Sequence, residues 1–385
     1  DYSDLTRKNP YAKITCIQGE QNQKTEEYHM KAPTYYDDLN ARQTIKLREL
    51  IRTLPPFAKD FFRAIDSTTQ VRTRIAYAYD IRVFFHFLME ENPVYRNYSI
   101  QDFEVSDLDN IESVDLEEYM EYLKVYESDE RHKHMQNTEQ GVFRKMSALR
   151  SFYGYYYKRQ MIGKNPTLLV DMPKIREKEI IRLEPDEVAS LLDFVEKGGE
   201  NLTGQRKAYY EKTKERDFAI ITLLLGTGIR VSELVGLNLD DVDFKSNGLH
   251  LIRKGRKEMT VYFGNEVADA LEQYIEGSRA KVIPREGHED ALFYSMQRKR
   301  IGVQAVQNLV KKYAREVTPL KKITPHKLRS TYGTALYQET DDIYLVAEVL
   351  GHSDVNTTRK HYAAMSDTRR RQAAGKVVLR EKKPE

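Results

Sequence analysis

The chain has 385 residues, with 62 Lys and Arg against 59 Asp and Glu, a formal net charge of +3 and a mean hydropathy of -0.67. That length suits two or three domains, and the absence of any run of about 18 apolar residues excludes a membrane-spanning helix. A single cysteine, Cys16, excludes an internal disulfide and a cysteine-built metal cage.

The first forty residues are polar, carry Pro10 and Pro33, and hold no period. They read as an extended arm, neither signal nor transit peptide. A short amphipathic helix is expected from Asp38 to Leu54, stopped by Pro55-Pro56. Beyond it, Tyr77, Ile81, Phe84, Phe85 and Leu88 recur at helical spacing. A second helix is expected to begin near Asp115, with Glu118 as capping partner and Leu116, Tyr119, Met120 and Leu123 on one stripe. A third carries Val142, Met146, Leu149, Tyr153 and Tyr156, leaving Arg144, Arg150, Lys158 and Arg159 to point elsewhere. Nothing in this block reads as a strand, so residues 61–170 are expected to be all-helical.

Residues 171–183 are charged and aperiodic, which reads as a linker. Pro185 then opens a helix with Val188, Leu191, Leu192 and Val195. An apolar helix from Phe218 to Leu225 meets Gly226-Thr227-Gly228, and a new helix carries Val231, Leu234, Val235 and Leu237. Leu249–Ile252 and Met259–Phe263 flank the turn-like Lys254-Gly255-Arg256, a β-hairpin pattern. Helices follow to the end. Charge is unevenly spread here: Arg298 to Ser330 holds ten Lys or Arg against the single acid Glu316, which suits a polyanionic partner.

Four segments of this second half combine chemically: Thr227-Gly-Ile-Arg230-Val-Ser-Glu233-Leu, Arg253-Lys254-Gly255-Arg256-Lys257, Thr324-Pro-His326-Lys-Leu-Arg329, and Leu350-Gly-His352 through Tyr362. His326 and Arg329 stand three apart and share a helix face. Guanidiniums from two elements can grip both non-bridging oxygens of one phosphate and stabilise the charge of a pentavalent phosphorane. Lys254, at a hairpin tip, can protonate a leaving oxygen, and the histidines can manage the nucleophile's proton and one equatorial oxygen. Metal chemistry would need His-Glu-x-x-His, paired cysteines or a dense carboxylate cluster, and the sequence has none. The nucleophile must then be a side chain or water, and Tyr362 is the candidate.

In order and spacing these segments resemble the Arg, Lys, His-x-x-Arg, His and Tyr boxes of the tyrosine recombinase (phage integrase) family. TGIRVSEL and TPHKLRSTYGTAL are especially Xer-like, and the resemblance covers about residues 65–380. It differs in three details. His352 and Tyr362 are one residue further apart than is usual, His361 stands at the usual place, and Ser330 follows Arg329 where many members have His.

The resemblance implies a mostly α fold with a small β-sheet. An N-terminal extension (1–60) precedes an all-helical, SAM-like core-binding domain (61–170), a linker (171–183) and a mixed α+β catalytic domain with a C-terminal tail (184–385). Arg230 and Arg329 would clamp the scissile phosphate, Lys254 would be the general acid, His326 the general base, His352 a phosphate hydrogen-bond donor and Tyr362 the nucleophile giving a 3′-phosphotyrosyl link. Glu233 would support the site. DNA contacts are expected from Arg72, Arg74, Arg144, Lys145, Arg150, Arg256, Lys257 and Lys327.

The implied activity is site-specific recombination without metal, cofactor or ATP, integrating, excising or resolving DNA, with a mobile-element role favoured over a housekeeping one. Two other readings are a regulator that has lost catalysis and a type IB topoisomerase. The implied partners are a double-stranded recombination site, three further copies in a tetramer that exchanges its C-terminal tails, and an accessory directionality factor. The implied place is the bacterial cytoplasm, at the nucleoid.

Overall fold

The computed structural model describes residues 35–128, 133–175, 180–200, 202–253, 257–352, 354, 355 and 358. In the first half, α1 (Tyr35–Ile51), α2 (Ala58–Ala64), α3 (Val71–Glu91), the single turn α4 (Asp107–Asn110), α5 (Ser113–Tyr122) and α6 (Glu139–Lys158) follow one another. Their apolar stripes meet in an unusually aromatic core. Phe61, Phe84, Phe85, Tyr119, Phe152, Tyr153 and Tyr156 are all fully enclosed. Phe152 lies edge-on to Phe61, Phe85 and Tyr156, with centroids 5.2, 6.2 and 5.0 Å away. Such geometry sets the positive ring edge against the negative face.

Two expectations for this half need correction. A two-stranded ribbon interrupts the helices: β1 (Val125–Ser128) pairs antiparallel with β2 (Lys133–Gln136), Val125 opposite Gln136. With Val-Tyr-Glu-Ser facing Lys-His-Met-Gln, no alternation of apolar and polar residues announces these strands, whose pairing is a backbone matter. The second helix starts earlier than expected, at Ser113, because Asp115 accepts the Glu112 N–H at 2.8 Å instead of being the cap itself.

The second half begins with α7 (Pro185–Lys197), α8 (Gly204–Thr227) and α9 (Val231–Gly236). A three-stranded antiparallel sheet follows, in the order β3 (Val242–Asp243), β4 (Gly248–Arg253), β5 (Lys257–Tyr262). Then come α10 (Asn265–Tyr274), α11 (Val303–Val317), α12 (Pro325–Thr340) and α13 (Ile343–Leu350). The last turns of α8 are apolar on every side, and Ile220, Ile221, Leu223 and Leu224 are wholly buried because α7, α10 and α12 all pack on that helix. The end of the segment read as a linker is fastened here too, with the Leu183 N–H donated to Thr331 Oγ1 at 3.0 Å.

One hydrophobic core thus gathers residues from Leu47 to Val170 and the other residues from Leu183 to Leu328. Helix α1 belongs to both. Leu47 and Leu50 are buried in the first core, while Tyr35 packs on the second under the Arg300 guanidinium, 5.0 Å from its ring centre. Tyr36 Oη donates to Ser232 O at 3.4 Å. Part of the expected N-terminal extension therefore ties the two halves together.

Truncating Phe152 to Ala should open a cavity among these rings and destabilise the first half by about 3–5 kcal/mol, read as a lower urea midpoint of the transition followed through its tyrosines. A loss below about 1 kcal/mol would contradict the packing described.

Candidate active site: arginines gathered at a helix end

The last turn of an α-helix leaves carbonyls without intrahelical donors and carries the negative end of the helix dipole, so it attracts cations. At the end of α13 three successive carbonyls are each taken by an arginine from a different element. Arg253 Nη2, from the end of β4, donates to Val349 O at 2.9 Å. Arg329 Nη2, from the first turns of α12, donates to Leu350 O. Arg230 Nη2, just ahead of α9, donates to Gly351 O at 3.1 Å. Gly351 itself is left-handed, φ 62°, which ends the helix and turns the chain toward His352.

Each guanidinium has a second anchor or a reason for its aim. Arg329 is buried, and its Nη1 donates to Gly228 O at 2.6 Å. Gly228 closes α8 in the left-handed region, φ 61°, where a Cβ would press into Tyr332 and Leu350. That explains the glycine two residues ahead of Arg230, while at Gly226 a Cβ would press into Val267. Arg230 is held at Nη1 by Glu233 Oε1 at 2.8 Å, while Glu233 Oε2 accepts the Arg230 N–H at 2.8 Å. Glu233 is 5% exposed and Arg230 39%: the carboxylate lies beneath and the guanidinium faces outward. Carboxylate and carbonyl together fix the fork, as a planar group can be fixed.

His326, exposed in the first turn of α12, lies one helical turn before Arg329. His352 is tied by its N–H to Ala347 O at 2.9 Å, and its Nδ1 lies 2.7 Å from Thr358 Oγ1, a fully buried hydroxyl. Thr358 thus helps to set the ring's orientation. It escaped the sequence reading, since a hydroxyl six residues after His352 gives no sign in one dimension that it meets the ring. Among the expected catalytic residues, Arg230, Arg329, His352 and the supporting Glu233 converge on the α13 end. Lys254 and Tyr362 lie outside the described residues, as does Arg256. The Lys257 backbone pairs with Arg253 in the sheet, and its side chain is not among those described. Among the described residues no group of three or more His, Cys, Asp or Glu is placed to hold a metal ion.

The residues expected to touch DNA divide differently. Arg72 is exposed and Lys327 half-buried. Arg74 is buried and ion-paired with Asp66. Arg150 donates from Nε to Thr167 O at 3.0 Å and from Nη2 to Val170 O at 2.7 Å, an internal tie. Lys145 is 8% exposed and faces Asp80, 3.8 Å away, and Asn137, 3.2 Å away. Arg144, half exposed, binds Asp80 at 2.5 Å. Sequence spacing put these cations off the apolar stripe but could not show the buried Asp80 that draws two of them inward.

Comparison with known proteins agrees with this geometry. A family model described as the phage integrase family matches residues 181–369. Tyrosine recombinase XerC of Caldanaerobacter subterraneus subsp. tengcongensis is 38% identical over 351 residues, covering 87% of this chain and 92% of that protein. Tyrosine recombinase XerD of Oceanobacillus iheyensis is 31% identical over 296 residues, covering 73% of this chain and 92% of that one. Among solved structures, XerH recombinase in a post-cleavage complex with a palindromic difH substrate superposes with a TM-score of 0.62 at 17% identity, covering 87% of this chain and 89% of that chain. The chain belongs to the phage integrase family, the tyrosine recombinases. It is an enzyme of site-specific recombination that breaks and rejoins DNA strands, and no described helix is long and apolar enough to cross a membrane.

Asp80 supplies a pH-dependent prediction. Burial, opposed by Arg144 and Lys145, pushes its carboxyl up to about 6 from 3.8. The folded state therefore holds this proton more tightly than the unfolded chain does. Its contribution to stability is present below about pH 4 and lost as pH rises toward about 6. The stability of the Asp80→Asn protein, measured by urea denaturation, should lack that decline. Equal slopes in the two proteins would refute the assignment.

Proposed function

We propose that the α13 end is a phosphate clamp and that the scissile phosphodiester sits over Arg230 and Arg329, with His352 donating to one of its oxygens. Tyr362 attacks phosphorus. The new bond joins the phenolic oxygen to phosphorus, and the bond from phosphorus to the 5′-oxygen breaks. His326 accepts the phenol proton and Lys254 delivers one to the departing 5′-oxygen. A 5′-hydroxyl on the partner strand then reverses the sequence on the 3′-phosphotyrosyl ester, so bond energy is retained and no ATP is consumed. The observation that carries this reading is the convergence of Arg230 and Arg329, from separate parts of the fold, on adjacent carbonyls beside His352. Donors held there before substrate arrives need no rearrangement when charge builds on the phosphorane.

The partner is a double-stranded recombination site embraced by both halves. The basic segment 298–330 contributes salt-sensitive affinity, and Arg72 and Lys327 contact phosphates. Strand exchange needs four active sites, so the working form is a tetramer around two duplexes, linked by passing residues 375–385 to a neighbour and served by a directionality factor where direction matters. The enzyme acts at the nucleoid in bacterial cytoplasm. It integrates, excises or resolves DNA, and the long N-terminal segment favours a mobile-element role over a housekeeping one.

A nicked duplex drawn from sequence flanking the gene tests the chemistry. Wild type should form a covalent adduct in the presence of EDTA, Tyr362→Phe none, and Arg329→Ala should form it at least about a hundredfold more slowly. An adduct from Tyr362→Phe, or a requirement for a divalent ion, would overturn the mechanism.

A further inference from the structure

The third arginine at the α13 end has no part in the mechanism above. Arg253 is 8% exposed, and among the described residues Nη2 alone of its donors has a hydrogen-bond partner. Nε and Nη1 are buried without one, the nearest carboxylate oxygen being Glu233 Oε1, 3.8 Å from Nε. Nη1 lies where a Cβ on Gly351 would stand. The guanidinium therefore fills the space under Gly351, whose carbonyl aligns Arg230 and whose neighbour is His352. Glu233 already accepts a closer bond from Arg230, at 2.8 Å.

Arg230 and Arg253 thus share the single carboxylate of Glu233, two guanidiniums to one negative charge. Burying a cation with two donor atoms unsatisfied is costly. A phosphate seated over Arg230 and Arg329 would supply the missing negative charge. In the described surroundings the Val349 carbonyl and the shared Glu233 carboxylate offset part of that cost.

We propose that Arg253 is a positioning residue of the phosphate clamp: it braces Glu233 and the Val349–Gly351 turn from below, so that Arg230 and His352 keep their aim, and its charge adds to the field at the phosphate. This rests on the clamp reading. It also gives a physical reason for pairing an arginine at the end of β4 with a glycine at 351. A side chain at 351 would evict the guanidinium and strain a left-handed residue.

The test compares two nicked duplexes, one with a normal scissile phosphate and one with a methylphosphonate there, in which a methyl replaces one non-bridging oxygen and removes the charge. Rates of covalent adduct formation are measured for wild type, Arg253→Met and Arg253→Lys. Misfolded protein would lower both rates of one sample equally, so the ratio of the two is read. Arg253→Met should lose at least about tenfold on the phosphodiester and far less on the methylphosphonate, with Arg253→Lys between it and wild type. Equal losses on both substrates, or no loss on either, would overturn the proposal. Should Arg253→Met be insoluble, the Arg253→Lys ratio decides by the same criterion. Failure of wild type to form any adduct would instead count against the clamp itself.

Discussion

A helix that ends in solvent has its last carbonyls satisfied by water. The end of α13 is different: Val349, Leu350 and Gly351 hand their oxygens to Arg253, Arg329 and Arg230. These cations would repel one another if brought together freely, and a row of carbonyl dipoles at the negative end of a helix is what holds them. The rest of the second half serves this meeting. Helix α8 ends in Gly228, whose carbonyl takes the other side of Arg329. The sheet delivers Arg253, and the packing of α12 on α8 sets how far Arg329 reaches.

The same geometry explains why polar groups that look wasteful persist. Glu233 is almost fully buried, yet it serves two guanidiniums and a backbone N–H, which a surface carboxylate could not orient. Thr358 spends a buried hydroxyl on His352. Burial lowers the pKa of Arg253, with Glu233 pulling it up and Arg230 pushing it down; an arginine remains charged under such pressure. Behind this site the core around α8 is closed by wholly buried apolar side chains, Ile220, Ile221, Leu223 and Leu224.

Much of this was legible in the sequence because helices advertise themselves through period and catalytic boxes through residue type. Ile81, Phe84, Phe85 and Leu88 lie on α3 and are buried as their spacing requires, and the β4–β5 hairpin falls where two apolar runs flank a glycine. The β1–β2 pairing was invisible because Val-Tyr-Glu-Ser and Lys-His-Met-Gln show no alternation of apolar and polar residues when only backbone pairing is needed. Lys145 and Arg150 were read as surface cations, since nothing in one dimension reveals that Asp80 or the Thr167 and Val170 carbonyls wait opposite. In the sequence Arg253 was one cation of the run Arg253-Lys254-Gly255-Arg256-Lys257, with no role of its own. Its distinct place depends on which face of β4 turns toward α13, a tertiary fact. The reach of α1 into both cores likewise hangs on Tyr35 and Tyr36, aromatic residues that could equally have ended a surface helix.

If carbonyls of a single turn hold Arg230 and Arg329 as one phosphate grip, the two residues must act as a unit. Single-turnover cleavage by Arg230→Lys, Arg329→Lys and the double variant reads this directly. The account predicts that the double variant is no more than about threefold slower than the slower single one. Losses that simply multiply would mean two independent contacts, and the shared grip would be wrong.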